Sequence, residues 1–214
     1  MNRRRLVVGT AGVAVSALAG CLGAVGLDEH EATPAGVERS AREETGYERT
    51  NVEEMVVRES VDAGVSEEIT VRNYLTEHEK GVDLGPVGNV QAAAFNLLTS
   101  PQISIAGREF NPIEAMSAEE LIELVEADFD GIDDVEHVAD GEVSILGQET
   151  AESVFEAEAA VGAGISVDVN VHVTESVRTD EDHLVTIAVY PQQVRSQEEA
   201  NVATMTDGVV ETID

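Results

Sequence analysis

From Ile165 to Thr174 the chain alternates without error: Ile165, Val167, Val169, Val171 and Val173 stand against Ser166, Asp168, Asn170, His172 and Thr174. β-branched residues at a period of two fit a pleated strand with one buried and one wet face, whereas a helix repeats its apolar positions every 3.6 residues. The same period runs through Phe155, Ala157, Ala159 and Val161 and returns at Val185, Ile187 and Val189. Gly162-Ala163-Gly164 and the polar stretch from Arg178 to Asp182 supply the turns between them. Three such strands in succession commit this half of the chain to an antiparallel meander.

Upstream, Ile69, Val71 and Leu75 share one parity against Thr70, Arg72 and Thr76, and Asp62-Ala63-Gly64 joins them to the stretch 52–61 as an N-terminal hairpin. Segment 87–98 is apolar without a clear period and reads equally as strand or helix, while Ile103-Ser104-Ile105 reads as strand. Helical signals are local. Pro34 to Glu44 predicts a brief helix ended by Gly46. Ser117-Ala118-Glu119-Glu120 forms a capping box, followed by a stripe of Leu121, Leu124, Val125 and Phe129 up to Gly131. A second box, Ser196-Gln197-Glu198-Glu199, opens a last helix with the stripe Val202, Met205, Val209 and Ile213. Strands followed by amphipathic helices, with no strand–helix–strand alternation, predict an α+β fold. In it two amphipathic helices pack on an antiparallel sheet built from the C-terminal meander and the N-terminal hairpin.

The first 33 residues read as an address. Arg3, Arg4 and Arg5 precede an uncharged run of 15 residues, Leu6 to Gly20, which contains three glycines and falls short of the ~20 that a spanning helix needs. Adjacent arginines ahead of a mildly apolar core predict twin-arginine export. Leu18-Ala19-Gly20 placed directly before Cys21 predicts a lipoprotein cleavage box, with Cys21 as the lipid attachment residue and the first residue of the mature protein. The expected organisation is an export signal at 1–20, cleaved; a lipidated N-terminus and tether at 21–33; and a single globular domain at 34–214. Cys21 is the only cysteine, so a lipid there leaves no thiol for a disulfide, for catalysis or for a metal.

Charge narrows the partners. The chain has 43 acidic and 12 basic residues, three of the latter in the signal, and Lys80 is its only lysine. With the acids spread over roughly 9,000 Å² of folded surface, carboxylates lie about 14 Å apart. They repel collectively where the Debye length is ~30 Å and hardly at all where it is ~3 Å, so the surface suits high salt. No Lys/Arg cluster or aromatic platform meets a phosphate backbone, so no nucleic-acid partner is expected. With 43% hydrophobic residues the chain nevertheless has the means to bury a core.

The search for chemistry finds no nucleophile elbow, zinc-protease helix, phosphate loop or dinucleotide fingerprint. His30, His78, His137, His172 and His183 are scattered, and His172 falls on the outward parity of its strand, where a solvated side chain is expected. Asp128 to Asp134 invites a calcium reading, but glycine stands fourth rather than sixth in it and Ile132 takes a ligand place, so an acidic helix end explains it better. No catalytic residue, metal or cofactor is expected.

The export signal, Thr45-Gly46-Tyr47, Asp83-Leu84-Gly85-Pro86, Ser100-Pro101-Gln102, Phe110-Asn111-Pro112 and Tyr190-Pro191-Gln192 together resemble an uncharacterised family of haloarchaeal twin-arginine-exported lipoproteins. The resemblance covers nearly all of the chain and implies a haloarchaeal cell surface; the family has no assigned activity, so it carries over no functional residue. The order of strands and helices is also similar to PsbP-like and Mog1-like domains, an analogy of fold alone. The expected function is an exported, lipid-anchored domain on the outer face of the cytoplasmic membrane that binds or scaffolds an unidentified protein or small molecule. The alternatives are an enzyme that works through acidic residues without a recognisable motif, or a small-ligand carrier with an apolar cavity between sheet and helices.

Overall fold

A computed structural model describes residues 29–213, apart from 63–65, 106–107, 111–112, 114–115, 125–128, 130 and 162–164. The export-signal residues Arg3, Arg4, Arg5, Leu18, Ala19 and Gly20 and the lipid attachment residue Cys21 lie outside the described residues, as does the Gly162-Ala163-Gly164 turn. The fold is α+β and dominated by strands.

In chain order the strands are β1 (Glu29–Glu31), β2 (Gly36–Val37), β3 (Glu48–Asp62), β4 (Ser66–Asp83), β5 (Asn89–Pro101), β6 (Ile103–Ile105), β7 (Arg108–Phe110), β8 (Ile132–Ile145), β9 (Gln148–Val161), β10 (Ile165–Thr174), β11 (Val177–Arg178), β12 (Asp182–Pro191) and β13 (Val209–Val210). The helices are α1 (Arg39–Thr45), α2 (Ala118–Glu123) and α3 (Arg195–Asp207). Nine strands form one sheet. From the outer edge it runs β3, β4, β5, β12, β10, β9, β8, with β1 beside the first half of β4 and β11 beside β12. Every pairing in it is antiparallel except β1 with β4.

The expected meander is present as β9, β10 and β12, and the expected hairpin as β3 with β4, closing at Asp62 opposite Ser66. Segment 87–98 resolves to strand: all but its first two residues lie in β5. From Ala92 to Pro101 every residue of β5 is buried, as is every residue of β12. A strand covered on both faces has no reason to alternate, and this is why β5 showed no period.

Two layers do the covering. Thr76 Oγ1 donates to the Ala35 carbonyl at 2.7 Å and Lys80 Nζ reaches Glu198 of α3 at 2.7 Å, so the segment around α1 and α3 itself lie on the face of β4 that carries even-numbered residues. Pairing through β5 and β12 puts His172 of β10 on that same face. On the other face α2 packs against β10, with Leu121 lining a common hollow with Val173 and Val185. The expectation of one wet face therefore holds only at the start of β10, where Ser166 and Asp168 are exposed; Asn170 and Thr174 are buried. Val169 and Val171 are fully buried, and such side chains contribute roughly 1.5–3 kcal/mol each.

The helices depart from expectation at their ends. α1 starts at Arg39 rather than near Pro34, because Gly36 and Val37 pair with β13 and the Ala35 carbonyl is taken by Thr76. It does end at Gly46, whose φ of 80° is the left-handed conformation that glycine adopts most easily. The Ser117 capping box forms: Ser117 Oγ accepts from Glu120 N at 3.2 Å and Glu120 Oε2 accepts from Ser117 N at 2.8 Å. α2 spans Ala118–Glu123; of its expected stripe, Leu124 and Phe129 lie in turns outside it and Val125 lies outside the described residues.

The second capping box does not form. A 3₁₀ turn over Gln192–Val194 leads straight from β12 into α3, placing Ser196 inside the first turn, while Glu199 accepts from Arg195 Nε at 2.7 Å. Val202 and Met205 are buried as expected, but Val209 is buried from β13, beyond the helix. β8 went unread altogether, since it is exposed from Asp133 to Glu142 and so carries no apolar period. Register shifts between Asp133 and Glu136 and between His137 and Ala139, together with its carboxylates, keep this edge strand from offering a regular ladder to another chain.

Candidate functional site

Two buried polar groups sit side by side between α3 and the sheet. In the first, Glu198, 1% exposed, accepts from Lys80 Nζ at 2.7 Å, from Asn201 Nδ2 at 3.0 Å and from the Tyr47 hydroxyl at 3.1 Å. Lys80 also lies 5.4 Å from the centre of the Tyr47 ring. The chain's sole lysine is thus spent on neutralising a carboxylate that would be very costly to bury alone. Burial, and then the Glu198 charge and hydrogen bond, push the Tyr47 hydroxyl well above its ordinary range.

In the second group His172 corrects the sequence reading. It is 13% exposed, stacks on Tyr190 with ring centres 5.4 Å apart, and has Nε2 2.8 Å from the Tyr190 hydroxyl. Its Nδ1 lies at ion-pair distance, 3.1 Å, from Glu152 Oε1. The parity argument was right about direction, yet the Gln192–Val194 turn packs over β10 on that side and removes the water. Asn170, two residues along, is 1% exposed, and neither polar atom of its side chain has a hydrogen-bond partner among the described residues.

Carboxylate, imidazole and hydroxyl stand here in the order that activates a nucleophile. The chemistry argues otherwise. Tyr190 is 0% exposed, and burial raises the pKa of its hydroxyl, with the nearby Glu199 carboxylate adding to the effect. A hydroxyl harder to ionise and out of reach is a poor nucleophile, and both groups read best as polar ties that fix the seating of α3.

The opposite face of the sheet holds a different feature, a cavity of about 620 Å³ between α2 and the ends of β9, β10 and β12. Its apolar walls include Met116 and Leu121 on one side and Val173 and Val185 on the other. Arg178, His183, Ser176 and Glu175 stand around it as polar groups. Alternation along β12 brings buried His183 to the same face as Val185, and the β11 pairing aligns Arg178 with His183. Ser176 Oγ lies 3.3 Å from His183 Nδ1, a long contact. Arg178 Nη2 donates to Gln102 Oε1 at 3.2 Å, and the Gln102 amide is itself tied to the Thr179 and Asp182 carbonyls at 2.8 and 3.1 Å. The volume falls within the few hundred to ~1,000 Å³ usual for small-ligand sites.

Of the histidines named from sequence His183 lines this cavity, beside Leu121, Val173 and Val185 of the predicted apolar stripes; the export and lipidation residues lie outside the described region. Its polar groups come from a short loop and two strand ends that carry no motif. Asp128 and Asp130 of the rejected calcium reading are also outside the described residues, and no group of three or more metal-ligating side chains occurs among those described. No described helix is long and apolar enough to cross a membrane.

Residues 34–210 match the family described as a domain of unknown function, DUF6517, and the chain belongs to that family. A search of curated proteins found no match.

Proposed function

We propose that this member of the DUF6517 family is an exported, lipid-anchored binding domain that holds a small ligand in the cavity between α2 and the sheet. The cavity carries the reading: it is of ligand size, apolar on two walls and polar on a third, whereas the buried Glu198 and His172 groups are closed to solutes. Export rests on Arg3, Arg4 and Arg5 ahead of the uncharged run, and anchoring on Cys21 after Leu18-Ala19-Gly20. The large excess of acidic over basic residues supports a haloarchaeal cell surface, where high salt screens the carboxylates. The likeness to PsbP-like and Mog1-like domains enters as an analogy of fold that supplies no functional residue.

Intact mass spectrometry of membrane-extracted protein tests the anchor. A chain starting at Cys21 with a hydrocarbon adduct is expected, and Cys21→Ser should release the protein from the membrane or leave the signal uncleaved. A single acyl chain binds a membrane only marginally, and no polybasic patch assists here, so a two-chain adduct is expected. Protein found with an intact Met1 terminus and no adduct would refute the anchoring.

A further inference from the structure

We propose that Lys80 and Asn201 join in an intramolecular isopeptide bond, with Glu198 between them carrying the protons. The bond ties β4 covalently to α3. It depends neither on the cavity nor on any ligand.

The three side chains stand in the order that the reaction needs. Lys80 Nζ donates to Glu198 Oε1 at 2.7 Å, and Asn201 Nδ2 donates to the same oxygen at 3.0 Å. Nucleophile and leaving group are thus two hydrogen bonds apart, across one carboxylate oxygen. The other oxygen accepts from the Tyr47 hydroxyl at 3.1 Å, which leaves Oε1 to face the two nitrogens. The site is dry: the Glu198 side chain is 1% exposed and that of Lys80 12%. Pairing with Ala93 of β5 fixes Lys80, and the turn of α3 sets Asn201 three residues after Glu198.

The reaction needs no outside reagent. Lys80 Nζ passes a proton to Glu198, and the freed lone pair attacks Asn201 Cγ to form the new C–N bond. Glu198 hands that proton to Nδ2, the Cγ–Nδ2 bond breaks, and ammonia leaves. A second proton from Nζ then returns to Glu198, which ends as a neutral acid rather than an unpaired buried charge. An ammonium, a carboxylate and a primary amide have become a secondary amide, a carboxylic acid and one ammonia. Aminolysis of an amide is very slow in water, yet groups held in place gain effective molarities of up to ~10⁵–10⁸ M. Exclusion of water also keeps hydrolysis from competing. With one cysteine among its 214 residues the chain holds no internal disulfide. A bond from position 80 to position 201 closes a long loop and restrains the unfolded chain as a disulfide would.

The full chain carrying Cys21→Ser, purified in folded form and then denatured, is weighed intact and as tryptic peptides. It should be lighter than its sequence by one ammonia, and Lys80 should resist both trypsin and amine-labelling reagents. One peptide should join residues 73–108 to residues 196–214, the segments between arginines that hold Lys80 and Asn201. Asn201→Ala should restore the full mass and the separate peptides, as should Glu198→Gln, with the fold of each checked by circular dichroism. A full mass in the chain that keeps Lys80, Glu198 and Asn201 would overturn the proposal. So would an ammonia deficit without the joined peptide, the mark of a cyclised asparagine. A deficit of one water would place the bond between Lys80 and Glu198 and overturn the assignment to Asn201. Joining that persists in folded Glu198→Gln would overturn Glu198 as the proton carrier.

Discussion

His78 shows how one buried side chain couples this fold to pH. Its position on β4 is fully buried under α1, its Nδ1 lies 3.0 Å from the Phe95 carbonyl, and its Nε2 has no hydrogen-bond partner among the described residues. Burial pushes its pKa down from 6.5 to about 4. Between those values the unfolded chain holds the proton and the folded one does not, so this residue's contribution is present above pH 6.5 and is lost as pH falls toward 4. At 1.36 kcal/mol per pKa unit the loss is about 3 kcal/mol. Glu77 and Asp182 work the other way, because burial raises both carboxyls and their protonation favours the folded state. The difference in unfolding free energy between the native sequence and His78→Asn, whose amide can still donate to Phe95, isolates the histidine. It should shrink by about 3 kcal/mol from pH 7 to pH 4, and a difference constant over that range would reject the assignment. Sequence named His78 only as one of five scattered histidines and expected His172 to be solvated. Nothing local says that a strand position will be roofed by a turn 20 residues further on, as at His172, or by a helix more than 30 residues back, as at His78, and only that roof separates a solvated imidazole from a buried one.

At the scale of elements, the crossing of α1 and α3 is set by one glycine. A Cβ built on Gly208 would stand 2.6 Å from the Ala41 Cβ and 3.2 Å from the Thr204 carbonyl oxygen. Neither neighbour is the end of a flexible chain, so the helices must separate to admit it. Gly208→Ala is therefore expected to cost about 1–3 kcal/mol, the usual range for overpacking, read as a fall in denaturant midpoint. Ala41→Gly in the same chain should recover part of the loss, and a midpoint indifferent to Gly208→Ala would mean that the helices do not approach this closely. The two capping boxes show how far local chemistry reaches. Ser117 caps α2 because the chain arrives there extended, at ψ 163°. Ser196 has the same following acids but is preceded by a 3₁₀ turn that is already helical in sense, so its box never has an N-cap to occupy. The pattern of residues was the same and the path of the incoming backbone was not.

For the whole molecule, charge and core pull in opposite directions. With 43 acids against 12 bases and only scattered ion pairs such as Arg72 with Glu54 at 2.6 Å, the folded chain is held against its own repulsion by the sheet's buried Val, Ile, Leu and Ala. Taking the salt from ~1 M to ~0.01 M lengthens the Debye length from ~3 to ~30 Å, and the melting temperature should fall. A melting temperature unmoved over that range would argue that the acids do not interact across the surface. What the sequence alone determined is whatever lies in local period and local chemistry: the strands of the meander, the hairpin, the Gly46 stop of α1, the α2 cap and the acidic surface. Tertiary structure alone decided that β5 is a central strand, that β12 is buried on both faces, that β8 is an exposed edge, and that a cavity opens between α2 and the strand ends. The reason is physical. Alternation records a difference between two faces, and it can be lost where both faces are covered, as in β5, or both are wet, as in β8. β12 keeps it because Thr186 and Ala188 face the covering layer instead of water. A cavity is likewise made by surfaces that meet from distant parts of the chain, so it leaves no spacing in the sequence to be read.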